Sequence, residues 1–299
     1  MRGWAEAYRI AERLVRGEAA AEAIVWNAEV KEKFRSWLEA EGRSREYILD
    51  CTRYLDRYVK AVSGPEDVVA LFTRCERGKP HLAKAFRALL RFCEVVLEYR
   101  EEALAPLRRA VPKARSGVDY REVSESAVQE TFRALEGLSG KLEKYRLVWL
   151  LILDSGVRLS HAVRAVETFR PELLLDRGGF HRYPLGLERG VKHTWYVYMR
   201  GETAETLMRL GGSRVTPVSV FRFMGKMRRK GAPLTNPKLV RKFAYNKMLQ
   251  VGVPESVADF ICGRKPATVG ARHYAWLVQQ ADAYYPKYAS YLDGFLSRV

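Results

Sequence analysis

The sequence predicts a mainly α protein with a small antiparallel β-sheet, folded as two units joined by a basic linker. Three observations carry that expectation. Along most of the chain, apolar residues recur at three- and four-residue spacing behind capping residues, the pattern of helices with one buried face. One stretch, Leu173 to Tyr198, loses that period and favours strands. Between two helical regions lies LRRAVPKARSGVDY, Leu107 to Tyr120, with Pro, Gly, Ser, four cations and little apolar periodicity. Read as a linker, it divides the 299 residues into 1–106, 107–120 and 121–299, each flank long enough to bury a core.

In chain order, Gly3 to Arg16 places Ile10, Leu14 and Val15 in an amphipathic helix pattern. Glu29 to Ala40, with Val30, Phe34, Trp37 and Leu38, reads as a second helix ending at Gly42. Ser44 caps a third whose stripe is Ile48, Cys51, Leu55, Tyr58, Val59 and Val62, and Gly64-Pro65 breaks it. A shorter helix spans Pro65 to Cys75. After Gly78 a long one carries Leu82, Phe86, Leu89, Leu90, Cys93, Val96 and Leu97, which makes a bundle of about four helices. Its cations Arg43, Arg45, Arg53, Lys79, Lys84 and Arg87, and Lys113 and Arg115 of the linker, are candidates for phosphate contacts. Each taken alone reads equally well as part of a solvated face.

Beyond the linker, Ser124 opens a helix with Val128, Phe132 and Leu135. Lys141 to Asp154 follows with a nearly continuous apolar run, Leu147 to Leu153, and should be buried. Directly behind it comes the turn Asp154-Ser155-Gly156-Val157-Arg158-Leu159-Ser160. Phe180 to Leu187 and His193 to Tyr198 read as a hairpin turning at Glu188-Arg189-Gly190. Thr216 to Ala232 is an amphipathic helix with Phe221, Phe223 and Met224 for packing inward and a basic cluster, Lys226, Arg228, Arg229 and Lys230, facing outward. Asn236 caps a helix starting at Pro237, which places Lys238 and Arg241 on one face beside a helix start, a place suited to an anion. The next helix runs from Pro254 to Gly263 and delivers Arg264 at its end. After the turn signals Pro266 and Gly270, Arg272-His273-Tyr274 opens a run continuing through Trp276, Leu277 and Ala281. The pattern breaks at Pro286 and resumes as a short helix with Tyr288, Tyr291, Leu292, Phe295 and Leu296.

A net charge of +17 and a pI near 9.8 make a polyanion the first expected partner, nucleic acid before any other; the bland alternative is a solubilising surface. No long apolar run, signal peptide or lipidation motif is present, so no membrane role and a cytoplasmic location are expected. Cys51, Cys75, Cys93 and Cys262 form no CxxC pair and lie in apolar helical patterns; buried reduced thiols are expected rather than disulfides or zinc. There is no acidic cluster to hold two magnesium ions and no Gly-rich Walker loop, so no metal and no cofactor is expected.

The order Lys238-x-x-Arg241, Arg264, Tyr274 resembles the second half of the active site of tyrosine recombinases, the phage-integrase family. Arg158 and the glycine turn before it are similar to the family's first catalytic arginine motif. Most members carry His at the first of these positions and His or Trp at the third. The Lys and Arg found here resemble the integrases of archaeal spindle-shaped viruses and related plasmids. His161 stands where the family usually has a glutamate. The resemblance covers Ser124 to the C-terminus by motif and the N-terminal part by size and helical pattern only. It implies a core-binding bundle ahead of a catalytic domain, double-stranded DNA as partner, and a tetramer on two duplexes linked through the C-terminal segment. Tyr274 would be the nucleophile, forming a 3′-phosphotyrosine link. Lys192, matching the lysine on the mobile turn of the sheet, would be the general acid. Without that resemblance, a lysine at a hairpin tip is usually just solvated. The chemistry needs a nucleophile, cations around the phosphate oxygens and an acid for the leaving alkoxide, and uses no ATP. Two rivals stay open: a topoisomerase of type IB character that relaxes DNA as a monomer, and a non-catalytic DNA-binding relative.

Overall fold

The computed structural model describes residues 23–113, 119–189, 192–264 and 276–298, with the backbone alone at Glu188, Arg189, Lys192 and His193. The helix expected over Gly3 to Arg16 lies outside them. Packing divides the chain between Val118 and Asp119 into two compact units, each with its own core.

In the first unit, β1 (Ile24–Val25) pairs antiparallel with β2 (Ala61–Val62), and the described residues form five helices: α1 (Ala28–Ala40), α2 (Arg45–Tyr58), α3 (Pro65–Arg74), α4 (Lys79–Val95) and α5 (Glu101–Ala110). The Asn27 and Ser44 side chains accept from the backbone N–H groups of Val30 and Tyr47, satisfying donors that a helix start leaves open. Phe34, Leu55, Leu82, Phe86, Leu89 and Phe92 are fully buried between these helices. Three elements differ from the expectation. The strands β1 and β2, of two residues each, are too short to show a period. Helix α5 carries Pro106 and only two buried positions within it, Leu104 and Leu107, so its pattern is faint in the sequence. Leu107 to Ala110 therefore belong to α5, and Val111 is buried behind them, although all were expected in the linker.

The second unit is built around α7 (Glu143–Ser155), whose residues Leu147 to Ser155 are all buried. Around it lie α6 (Glu125–Glu136), α8 (Leu159–Glu167), α9 (Gly201–Leu210), α10 (Pro217–Arg229), α11 (Pro237–Gln250), α12 (Glu255–Ile261) and α13 (Leu277–Leu296). A three-stranded antiparallel sheet, β3 (Leu175–Asp176), β4 (His181–Arg189) and β5 (Lys192–Met199), supplies the remaining wall. The hairpin runs from His181 opposite Met199 to Arg189 opposite Lys192, with an irregularity between Pro184 and Leu187. Proline lacks the N–H that a ladder needs, which fits a break there.

Pro286 does not end the C-terminal helix; α13 passes through it as one helix of 20 residues. Ala281, Tyr285, Tyr288, Ala289, Leu292, Phe295 and Leu296 are buried, and that apolar face outweighs one missing backbone hydrogen bond. The helix packs on its own unit: the Tyr288 hydroxyl donates to the Leu153 carbonyl at 2.8 Å, and Gln129 Nε2 donates to the Phe295 carbonyl at 2.9 Å. Arg200, 4% exposed, binds Asp154 through its backbone N–H and Nε at 3.0 Å each and reaches Asp293 of α13 at 3.0 Å. All four cysteines are buried and unpaired. Among the described residues, no group of His, Cys, Asp and Glu is arranged to hold a metal, and no helix is long and apolar enough to cross a membrane.

Candidate active site

Three turns of the second unit meet, and each delivers an arginine or braces one. Helix α7 ends at Gly156 in the left-handed region, φ 63°, and a Cβ there would come within 2.5 Å of Cys262 Sγ. Only glycine lets the α7–α8 turn lie this close to the turn after α12. Arg158 is the N-cap of α8, with its guanidinium donating to the Gly263 carbonyl. Arg241, on the second turn of α11, donates from one Nη1 to the carbonyls of Gly156 and Cys262 at 2.5 Å each, tying both turns together. Arg264 follows Gly263; its Nη1 meets Asp259 at 3.1 Å and its guanidinium lies 4.2 Å from the centre of the Tyr245 ring.

The electrostatics follow from this crowding. Burial pushes Arg158 below the ordinary arginine range, with the charge of Arg264 adding to it. Arg241 is pushed down to about 10, by burial first and then by the charges of Arg158 and Arg264. A guanidinium stays protonated through neutral pH even so. Three cations within mutual range are offset by carbonyl oxygens and the carboxylate of Asp259, and an anion among them would relieve the repulsion further. Cys262 is a spacer: burial raises its thiol to about 11, so it stays protonated.

The other expected site residues are placed differently. Lys238 sits on the first turn of α11 with its side chain 67% exposed, and its ammonium binds Asp119 at 2.7 Å, not the arginine cluster. Asp119 also takes Arg121, and the hydrogen bonds from Arg121 and Lys238 hold its carboxyl well below the usual carboxylate range. Lys192 opens β5 at the end of the hairpin, opposite Arg189. Tyr274 lies outside the described residues, as does Arg115. His161 is buried, and its Nδ1 lies 2.6 Å from Thr194 Oγ1, so it links α8 to β5 as a packed, hydrogen-bonded histidine.

Of the cations proposed to contact DNA, Arg43, Lys84 and Arg87 line one groove of the first unit with Trp37, Tyr47 and Arg91. Lys84 Nζ lies 5.0 Å and the Arg43 guanidinium 5.6 Å from the Tyr47 ring centre; Arg91 lies 6.0 Å from that of Trp37. Arg91 was not singled out from the sequence, although its place four residues after Arg87 on α4 puts both on one face. Lys84 also binds Asp50 at 2.5 Å, and Arg53 the same carboxylate at 2.6 Å. Arg45 and Lys79 stand exposed at the starts of α2 and α4, and Lys113 is exposed beyond α5. Arg228 is committed in part to its own unit, donating to the Leu234 carbonyl at 3.0 Å, whereas Arg229 is exposed at the end of α10.

Residues 122–291 match the model of a protein family described as archaeal phage integrase. No curated protein matches the chain. Among solved structures, the chain is similar to a lambda integrase dimer bound to a COC′ core site, with 13% identity and TM-score 0.59 over 84% of this chain and 97% of that one. It is also similar to a lambda integrase tetramer bound to a Holliday junction, with 14% identity and TM-score 0.58 over 81% and 78% of the two chains. At such identity these likenesses establish the fold, and the fold is that of the tyrosine recombinases. Because the family model spans more than half of the sequence and this fold carries it, the chain belongs to the archaeal phage integrase family of tyrosine recombinases.

Proposed function

We propose that this chain cleaves and rejoins double-stranded DNA at specific attachment sites, integrating or excising a viral or plasmid element through a covalent 3′-phosphotyrosine intermediate. The observation that carries the reading is the convergence of Arg158, Arg241 and Arg264 on three adjoining turns, braced by Arg241 across the carbonyls of Gly156 and Cys262. Their remaining N–H groups bind the non-bridging oxygens of the scissile phosphate. As the phosphorus gains charge in the transition state, these preorganised donors stabilise it, each worth roughly 10²- to 10³-fold in rate by analogy with oxyanion donors.

Tyr274 is the nucleophile in this reading. The cationic cluster depresses its phenol from a value near 10, so that the phenolate attacks the phosphorus and the 5′-oxygen leaves. Lys192 is the general acid that protonates that oxygen. Lys238 exchanges Asp119 for phosphate when DNA arrives. The covalent link conserves the bond energy for attack by the strand of a partner duplex, and no metal or ATP enters. The groove of the first unit, with Arg43, Lys84, Arg87 and Arg91 around Tyr47 and Trp37, supplies further phosphate contacts. Assembly is as a homo-oligomer, four copies on two duplexes, in keeping with the lambda integrase tetramer on a Holliday junction.

The test is a nicked suicide substrate that traps the adduct on candidate attachment DNA. Wild-type protein is expected to form a covalent complex, Tyr274→Phe to bind the DNA without forming one, and Arg158→Ala to form it about 10²-fold more slowly. An adduct that persists in Tyr274→Phe moves the nucleophile to another tyrosine. Plasmid relaxation without recombinant products would mark a relaxing enzyme instead.

A further inference from the structure

One carboxylate fastens the start of α13 to the sheet. Asp282, on the second turn of α13, has a side chain only 15% exposed, and its Oδ2 takes the guanidinium of Arg182 at 2.6 Å and that of Arg177 at 3.2 Å. The Tyr198 hydroxyl donates to its Oδ1 at 3.2 Å. These donors come from three places: the loop after β3, strand β4 and strand β5. Arg182 is itself 12% exposed and lies 4.7 Å from the centre of the Tyr196 ring, so neither partner is free to wander as a surface pair would. Behind them, Tyr198 packs on Tyr285 of α13 at a centroid distance of 5.2 Å, which continues the contact into the core. None of these groups belongs to the arginine cluster or is needed to touch a phosphate.

Chain order gives the contact a consequence. Tyr274 precedes Asp282 by eight residues, and Lys192 opens the same strand, β5, that presents Tyr198. Asp282 therefore joins the strand that begins with one proposed catalytic group to the helix that follows the other. We propose that Asp282 is a positioning residue, which sets the seat of α13 on the sheet and thereby the approach of Tyr274 to the phosphate that Lys192 must serve. The proposal rests on the catalytic reading of Tyr274 and Lys192 given above. Reacting groups tolerate little displacement: a shift of about 1 Å reduces rates by roughly 10²-fold.

The experiment uses the full chain and compares single-turnover adduct formation in Asp282→Ala, Asp282→Asn and Asp293→Ala. Asp293 is the control, since it holds Arg200 from the far end of α13 and leaves the sheet contact alone. Expected for Asp282→Ala is an adduct rate lower by about 10- to 100-fold with DNA affinity within about threefold of wild type. Asp282→Asn, which keeps an acceptor for Tyr198 and Arg182, should lose less. Hydrogen exchange of the Gln280–Tyr284 amides in DNA-free protein should quicken in Asp282→Ala and not in Asp293→Ala, a readout that needs no chemistry. Three results would each overturn the proposal alone: an unchanged adduct rate in Asp282→Ala, DNA affinity falling in step with the rate, or equal slowing in Asp293→Ala. Wild-type protein that forms no adduct overturns the catalytic reading, and the positioning role with it.

Discussion

At the residue level, Gly156 concentrates the demands of the site. It needs the left-handed backbone that ends α7, and its missing side chain is the space that Cys262 Sγ fills. Gly156→Ala imposes both a strained φ and an overlap at 2.5 Å, which together should destabilise the second unit by about 1–3 kcal/mol. Thermal unfolding should register this as a Tm lower by several degrees. Adding Cys262→Ala makes room for the new Cβ but leaves the backbone strain, so the double variant should recover part of the loss; strict additivity would mean that the two residues do not share this contact. The Cys262 and Gly156 carbonyls also hold Arg241, so the same substitution should slow cleavage more than it weakens DNA binding.

Elements are held to one another by a few shared carboxylates, and Asp50 shows how pH reads them. Asp50 of α2, its side chain 18% exposed, receives His81 at 2.8 Å and Lys84 at 2.5 Å from α4. Burial alone would raise its carboxyl, but the hydrogen bonds from Lys84 and His81 more than reverse this and hold it down to about 2. A carboxylate lowered by folding stabilises the fold above its unfolded pKa of 3.8, and that contribution is lost as pH falls from about 4 towards 2. Urea unfolding of the first unit should therefore show a midpoint that declines through that window. Asp50→Asn should lower the midpoint at neutral pH and flatten this part of the decline. An unaltered slope in the variant would assign the acid sensitivity to other groups. Helix α13 makes a related point at the other end of the chain, since its buried aromatic face keeps it continuous through Pro286.

The whole molecule consists of two cores with a net charge of +17 spread over one basic chain. Residues 119–299 contain a complete core around α7, so this piece expressed alone should unfold cooperatively on heating, as seen by calorimetry. It lacks the groove of Arg43, Lys84, Arg87 and Arg91. Affinity for nonspecific duplex should then be weaker than that of the full chain and should fall less steeply with salt, because fewer counterions are released per binding event. Equal salt slopes for the two proteins would remove the first unit from the DNA contact.

The sequence by itself determined the helical class, most helix starts, the hairpin and the family, because caps, glycine turns and apolar periods act over a few residues. Ser44, Asn236 and the run Leu147 to Leu153 were readable for that reason. Helix α5 and the strands β1 and β2 were not, since their patterns are too short or too interrupted to stand out. Only the tertiary structure decided which cations share a place. Arg158, Arg241 and Arg264 come together because three turns pack where Gly156 has no side chain, whereas Lys238, three residues from Arg241, turns to Asp119 instead. Local order in the chain names the groups that carry charge; the distance between them is set by contacts made across a hundred residues, which no spacing in the sequence records.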